Sequence, residues 1–96
     1  MSNKRQELLV FYIARKVEQR RVILKLSQSD LAKKTGLSKA TISRIESCIN
    51  SVMPETLYKL AIAMQCEVSD FLPSKRWYME HTGKKVKRKM VYEITD

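Results

Sequence analysis

Apolar positions in the first three quarters of the chain recur at helical intervals. Val10, Ile13, Val17 and Leu24 follow three- and four-residue steps, with Arg21 in the slot between the last two, and predict a long amphipathic helix from about Gln6 to Leu24. Ser27 has the chemistry of an N-cap, and Asp30 falls in the first turn that follows, where the helix dipole favours an anion. Leu31, Ala32 and Thr35 line the inner face of the short helix so begun, and Gly36 ends it, because glycine enters the left-handed turn without steric cost. Ser38 opens a third helix by the same capping logic, with Ile42 and Ile45 inward. Pro54 suits the first turn of a fourth, whose Leu57, Leu60, Ala61 and Met64 step i, i+3, i+4, i+7. A last short helix around Ser69–Leu72 stops at Pro73. The expectation is a mainly α fold: a five-helix bundle over residues 1–72 with short connections.

Beyond Pro73 the period changes. From Val86 the even positions read Val86, Arg88, Met90, Tyr92, Ile94 and the odd ones Lys87, Lys89, Val91, Glu93, nearer a strand than a helix. Pairing back across Thr82-Gly83 sets Met79 against Val86 and Trp77 against Arg88, a β-hairpin with an indole stacked on a guanidinium. Because a β-branched residue resists positive φ, a longer loop from His81 to Lys84 is an equal alternative to the tight turn. A flexible basic arm is the rival to the hairpin itself. Residues 73–96 are therefore expected to form a C-terminal extension distinct from the bundle.

Charge narrows the choice of partner. The 96 residues carry 19 Lys and Arg against 10 Asp and Glu, a net charge of +9, and the excess is spread over both segments. That balance disfavours a cationic partner and points to a polyanion, meaning nucleic acid or an anionic membrane surface. The longest apolar run, Leu8–Ala14, is far short of the ~20 residues that cross a bilayer. No signal-peptide pattern follows Lys4-Arg5. Cys48 and Cys66 make no disulfide framework and read as small thiols of a reducing cytoplasm. With one histidine, His81, and two cysteines at no ligand spacing, no metal site is expected, and the absence of a nucleophile motif or a glycine-rich phosphate loop argues against an enzyme or a bound cofactor.

Two short helices joined by a glycine-bearing turn, inside a basic helical bundle, meet the requirements of a helix-turn-helix. The run from Leu26 to Glu46 (LSQSDLAKKTGLSKATISRIE) resembles the Xre family of phage-repressor-like regulators, which includes the lambda repressor and Cro. Pro54 to Met64 (PETLYKLAIAM) and Val68 to Leu72 (VSDFL) continue that resemblance through the family's fourth and fifth helices. The resemblance implies a sequence-specific regulator, in this family most often a repressor of its own promoter, that binds double-stranded DNA as a homodimer on an inverted repeat. It implies that the helix Gln28–Thr35 crosses the DNA backbone and that the helix Lys39–Ser47 enters the major groove. Gln28 would then bond a phosphate and reach towards a base; Ser38, Lys39, Ala40, Thr41, Ser43 and Arg44 would present the reading surface; and Ser47, Asn50 and Ser51 would donate to phosphates. The chemistry of the residues agrees: Arg44 can fork onto guanine O6 and N7, Lys39 can reach guanine or phosphate, and Ala40 can meet a thymine methyl. Arg21 and Glu46 are expected to form a structural bridge.

Cys48 and Gln65 stand where the family usually has glycine, so each must bear left-handed strain or end its helix differently. The first helix also carries apolar surface on more than one side, at Leu8, Leu9, Phe11 and Tyr12, which the hairpin or a second subunit must cover. Lys84, Lys85, Lys87, Arg88 and Lys89 suit phosphate contacts beyond the half-site or a solvated strand edge. A second role from another class is an antitoxin-type inhibitor, anchored on DNA, whose tail binds a toxin; a restriction-system controller is a further role within the first class.

Overall fold

The computed structural model describes residues 4–49 and 51–81, and these form five α-helices and one 3-10 turn. The helices are α1 (Lys4–Ile23), α2 (Gln28–Thr35), α3 (Lys39–Glu46), α4 (Pro54–Ala63) and α5 (Lys75–His81), with the 3-10 turn Val68–Phe71 between the last two. Among the described residues there is no strand, and no helix is long and apolar enough to cross a membrane.

Local chemistry sets the helix ends. Ser27 and Asp30 form a reciprocal capping box, each side-chain oxygen accepting the other residue's backbone N–H at 2.9 Å. The Ser27 N–H first, and then the Ser27 hydroxyl, hold the Asp30 carboxyl below the usual carboxylate range. The Ser38 hydroxyl accepts the Thr41 N–H at 3.0 Å and opens α3. Gly36 closes α2 at φ +78°, donating its N–H to the Ala32 carbonyl; a Cβ there would meet nothing within 4 Å, so the position needs the backbone freedom of glycine, not its small size.

Three other helix ends turn left-handed without glycine. Lys25, Cys48 and Gln65 take φ of +59°, +63° and +55° after α1, α3 and α4. In each case the next residue's N–H reaches back five residues, from Leu26 to Arg21, from Ile49 to Arg44 and from Cys66 to Ala61, at 3.0–3.1 Å. Cys48 and Gln65 thus bear the strain that their place in the sequence implied.

The core is built from one stripe of each of the first four helices and from the 3-10 turn: Ile13, Ala14 and Val17 of α1; Leu31 and Ala32; Ile42 and Ile45; Leu57, Leu60, Ala61 and then Met64; and Phe71. Leu24 departs from expectation. It is in phase with Val17 but lies beyond the end of α1, where it is 38% exposed, and Leu26 packs against the core instead.

The segment expected as the first arm of a hairpin is helical. Ser74 accepts the Trp77 N–H at 3.0 Å and starts α5, Arg76 and Glu80 pair one turn apart, and His81 stacks on Trp77 with ring centroids 4.3 Å apart. Lys75 to His81 contains no β-branched residue, so nothing local opposes the helix. Trp77 also meets Tyr12 at 4.9 Å, so α5 covers part of the extra apolar surface of α1, while Phe11 stays 52% exposed. The turn Thr82-Gly83, the second arm from Val86, and Arg88 lie outside the described residues.

Candidate nucleic-acid interface

The α2–turn–α3 unit is fixed from below by its apolar face. Leu31 and Ile42 have no exposed surface and Ile45 little. Thr35 tightens the turn: its hydroxyl donates to the Leu31 carbonyl at 2.8 Å and accepts the Leu37 N–H at 3.1 Å. With Ile42 and Ile45 inward, helical geometry turns Lys39, Ala40 and Arg44 to solvent, together with Ser47 at the C-cap; Thr41 and Ser43 are half-buried. The expected reading residues are thus brought to one surface. The Ser38 hydroxyl lies beside them but is engaged by the backbone and the hydroxyl of Thr41. Asn50 lies outside the described residues.

The one carboxylate of α3 faces the other way. Glu46 keeps 5% of its side chain exposed and receives a forked Arg21: Nε to Oε2 at 2.7 Å and Nη2 to Oε1 at 3.0 Å. Arg21 is itself anchored by donating Nη1 to the Leu26 carbonyl at 2.7 Å, and the hydrogen bond to Glu46 raises its pKa above the ordinary guanidinium value. The expected bridge is therefore present, and it ties the end of α1 to the end of α3. Its electrostatic consequence is that the outer face of α3 carries two cations and no anion.

Gln28 is placed differently from a free surface amide. Half-buried at the start of α2, it donates Nε2 to Glu46 Oε1 at 3.0 Å. A second arginine was not singled out in the sequence. Arg20 donates Nε and Nη2 to the Met64 carbonyl at 3.1 and 2.9 Å, and Nη2 to the Gln65 carbonyl at 3.2 Å, satisfying carbonyls at the end of α4. Its only sequence signal is a place in the last turn of α1, and nothing local names a partner 44 residues away.

Beside α3 an open cleft of about 180 Å³ is lined by Thr41, Arg44, Ile45, Ser51, Val52, Met53 and Thr56. Among the described residues no three His, Cys, Asp or Glu side chains gather as a metal site. Cys66, next to Arg20, has its thiol pKa pushed up by burial.

Comparison with known proteins agrees with this geometry. The helix-turn-helix family model HTH_3 matches residues 17–71. A crystal structure of an HTH_3 family transcriptional regulator from Vibrio cholerae is 30% identical with a TM-score of 0.67; the match covers 69% of this chain and 37% of that one. This chain thus spans little more than a third of that regulator. The restriction-modification controller protein C.AhdI from Aeromonas hydrophila superposes with a TM-score of 0.64 at 24% identity, over 66% of this chain and 96% of its own. A hypothetical transcription factor, NHTF, from Neisseria does so at 0.66 and 22% identity, over 75% and 83%. At those identities the last two show the fold. With more than half of its length inside the family model, the chain belongs to HTH_3, the Xre-like helix-turn-helix family.

Proposed function

We propose that this protein is a sequence-specific regulator of transcription that binds double-stranded DNA with α3 in the major groove and α2 across the backbone. One observation carries the reading: Glu46 is turned inward and held by Arg21, so α3 offers Lys39 and Arg44 with no carboxylate to repel a polyanion. Arg44 forks onto guanine O6 and N7, Lys39 reaches guanine or phosphate, Ala40 meets a thymine methyl, and Thr41 and Ser43 complete the reading surface. Ser47 donates to a phosphate. The Vibrio relative, described as a transcriptional regulator, supports the regulatory role.

The protein acts as a homodimeric repressor of its own promoter on an inverted repeat, whose half-sites lie about one helical turn, ~34 Å, apart. Residues 1–72 form the DNA-binding unit, and residues 73–96, which begin with α5 docked on α1, serve dimerisation or the DNA backbone.

Selection of bound duplexes from a random pool tests this, because site and half-site spacing emerge together. On the selected site Arg44→Ala should weaken binding roughly 5- to 100-fold and erase preference at one base pair. Lys39→Ala should weaken binding and reduce its salt dependence if Lys39 meets a phosphate. Wild-type affinity in both variants would show that α3 is not the reading helix.

A further inference from the structure

Among the described residues, one face of α1 is covered neither by the bundle nor by α5. Ile13, Ala14 and Val17 face the core, and Tyr12 meets Trp77 of α5. Phe11, Arg15, Glu18 and Val22 form a separate stripe, spaced four, three and four residues apart, the rhythm of a seam between two helices. Phe11 is 52% and Val22 58% exposed, so apolar surface stands at both ends of the stripe. Between them, Arg15 lies over the Phe11 ring, its guanidinium carbon 5.9 Å from the centroid, and Glu18 is half-buried. Neither charge forms an ion pair among the described residues, and Arg21, the cation that feels Glu18, is committed to Glu46. Towards Val22 the stripe borders an open cleft of about 370 Å³ that Gln19 and Ile23 help to line.

The order of chemistry along this stripe is apolar, cationic, anionic, apolar, and that order is self-complementary. Turned about a twofold axis midway between Arg15 and Glu18, a second copy sets its Val22 against Phe11 and its Glu18 against Arg15, and the reverse. A parallel copy would instead oppose like charges at both central positions, which is costly. Building on the dimeric reading above, we infer that this stripe is the seam of the homodimer, packed antiparallel on the same stripe of a second copy. The two charge pairs fix direction and register, and Phe11 supplies the apolar anchor beside the cleft. From Phe11 to Val22 the seam runs only about 17 Å, so the free protein dimerises weakly, with a Kd on the order of micromolar.

Sedimentation equilibrium of the full chain, without DNA and across a concentration series, tests this. Arg15→Glu and Glu18→Arg, each alone, oppose like charges across the seam and should raise the dimer Kd about tenfold or more. An equimolar mixture of the two variants should recover dimerisation, because each copy then meets the opposite charges of its partner. The double variant Arg15→Glu/Glu18→Arg should also recover it, which a parallel seam would not allow. Phe11→Ala should weaken the dimer about tenfold. Tm should stay near the wild-type value in each variant, since none of these positions belongs to the core cluster.

A wild type that stays monomeric at concentrations well above micromolar, with residues 82–96 or another protein left as the cover of the stripe, would overturn the inference. So would a dimer indifferent to both charge reversals, or a mixture no more dimeric than its components. Loss of base preference in Arg44→Ala alongside any of these results would leave the DNA-binding reading intact. An unaffected Arg44→Ala would remove that reading and leave the seam to stand on the sedimentation alone.

Discussion

Arg20 of α1 and Met64 at the end of α4, 44 residues apart in the chain, are joined by a forked guanidinium–carbonyl contact of 3.1 and 2.9 Å. The carbonyls at a helix C-terminus carry partial negative charge and lack intrahelical partners, so a cation with several donors suits them better than a neutral side chain. Arg20→Ala should destabilise the protein by about 1.5–3 kcal/mol, the range for hydrogen bonds with a charged member. At this chain length each kcal/mol lowers Tm by roughly 4–8 °C. Arg20→Lys should recover only part of the loss, because an ammonium cannot reproduce the planar fork. Thermal unfolding measures both; an alanine variant as stable as the wild type would show the fork to be a contact of no energetic weight.

The left-handed residues give a paired prediction of opposite signs. A non-glycine residue in this conformation costs roughly 1–2 kcal/mol, partly offset by the unfolded-state entropy that glycine would add. Cys48→Gly, Gln65→Gly and Lys25→Gly should therefore each stabilise by about 0.5–1 kcal/mol. Gly36→Ala should destabilise by about 1 kcal/mol, through backbone strain alone, since no atom stands in the way of the new methyl. Urea midpoints at constant m-value decide it. Destabilisation by the three glycine substitutions would mean that their side chains contribute more than the strain removes.

These ends also mark how far the sequence was legible. Caps were readable because Ser27, Asp30, Gly36 and Ser38 act within four residues of themselves, and the core stripes were readable because helical period depends on the same short range. Cys48 and Gln65 stood out only by departing from the pattern of a known family; Lys25 carried no such flag, and the path after α1 had to be seen. The Arg21–Glu46 bridge came from that resemblance, whereas the contacts of Arg20 and Gln28 join distant segments and have no local signature. Trp77 to His81 differs from the expected strand for a local reason. The alternation that begins at Val86 does not extend to this segment, whose own residues, Ser74 as cap and Arg76–Glu80 as a one-turn pair, favour a helix.

Acid should expose the contribution of the Ser27–Asp30 capping box. A carboxyl whose folded pKa is depressed stabilises the protein above its unfolded value, near 3.8 for Asp30, and that stability disappears as pH falls through the lower folded value. Stability should therefore decline between about pH 5 and pH 2 more steeply in the wild type than in Asp30→Ala, the two curves converging at the acidic end. Denaturant melts across that range provide the comparison, and parallel curves would rule out Asp30 as a source of the slope.

Trp77 is the only tryptophan in the chain, so its fluorescence reports the docking of α5 on α1. No residue of α5 is fully buried, and none belongs to the core cluster around Val17, Leu31 and Leu60. An element held by few buried apolar contacts opens at lower free energy than the core it rests on. Fluorescence should consequently change at lower denaturant than far-UV circular dichroism, which follows the four longer helices. Tyr12→Ala removes the ring 4.9 Å from Trp77 and should shift the native emission to the red and raise its quenching by acrylamide. The same variant should move the circular dichroism midpoint by an equivalent of less than about 1 kcal/mol, since Tyr12 lies outside the core cluster. Coincident transitions in the wild type, with an equally large loss of global stability in Tyr12→Ala, would make α5 an integral part of the bundle and remove the distinction between the two units at Pro73.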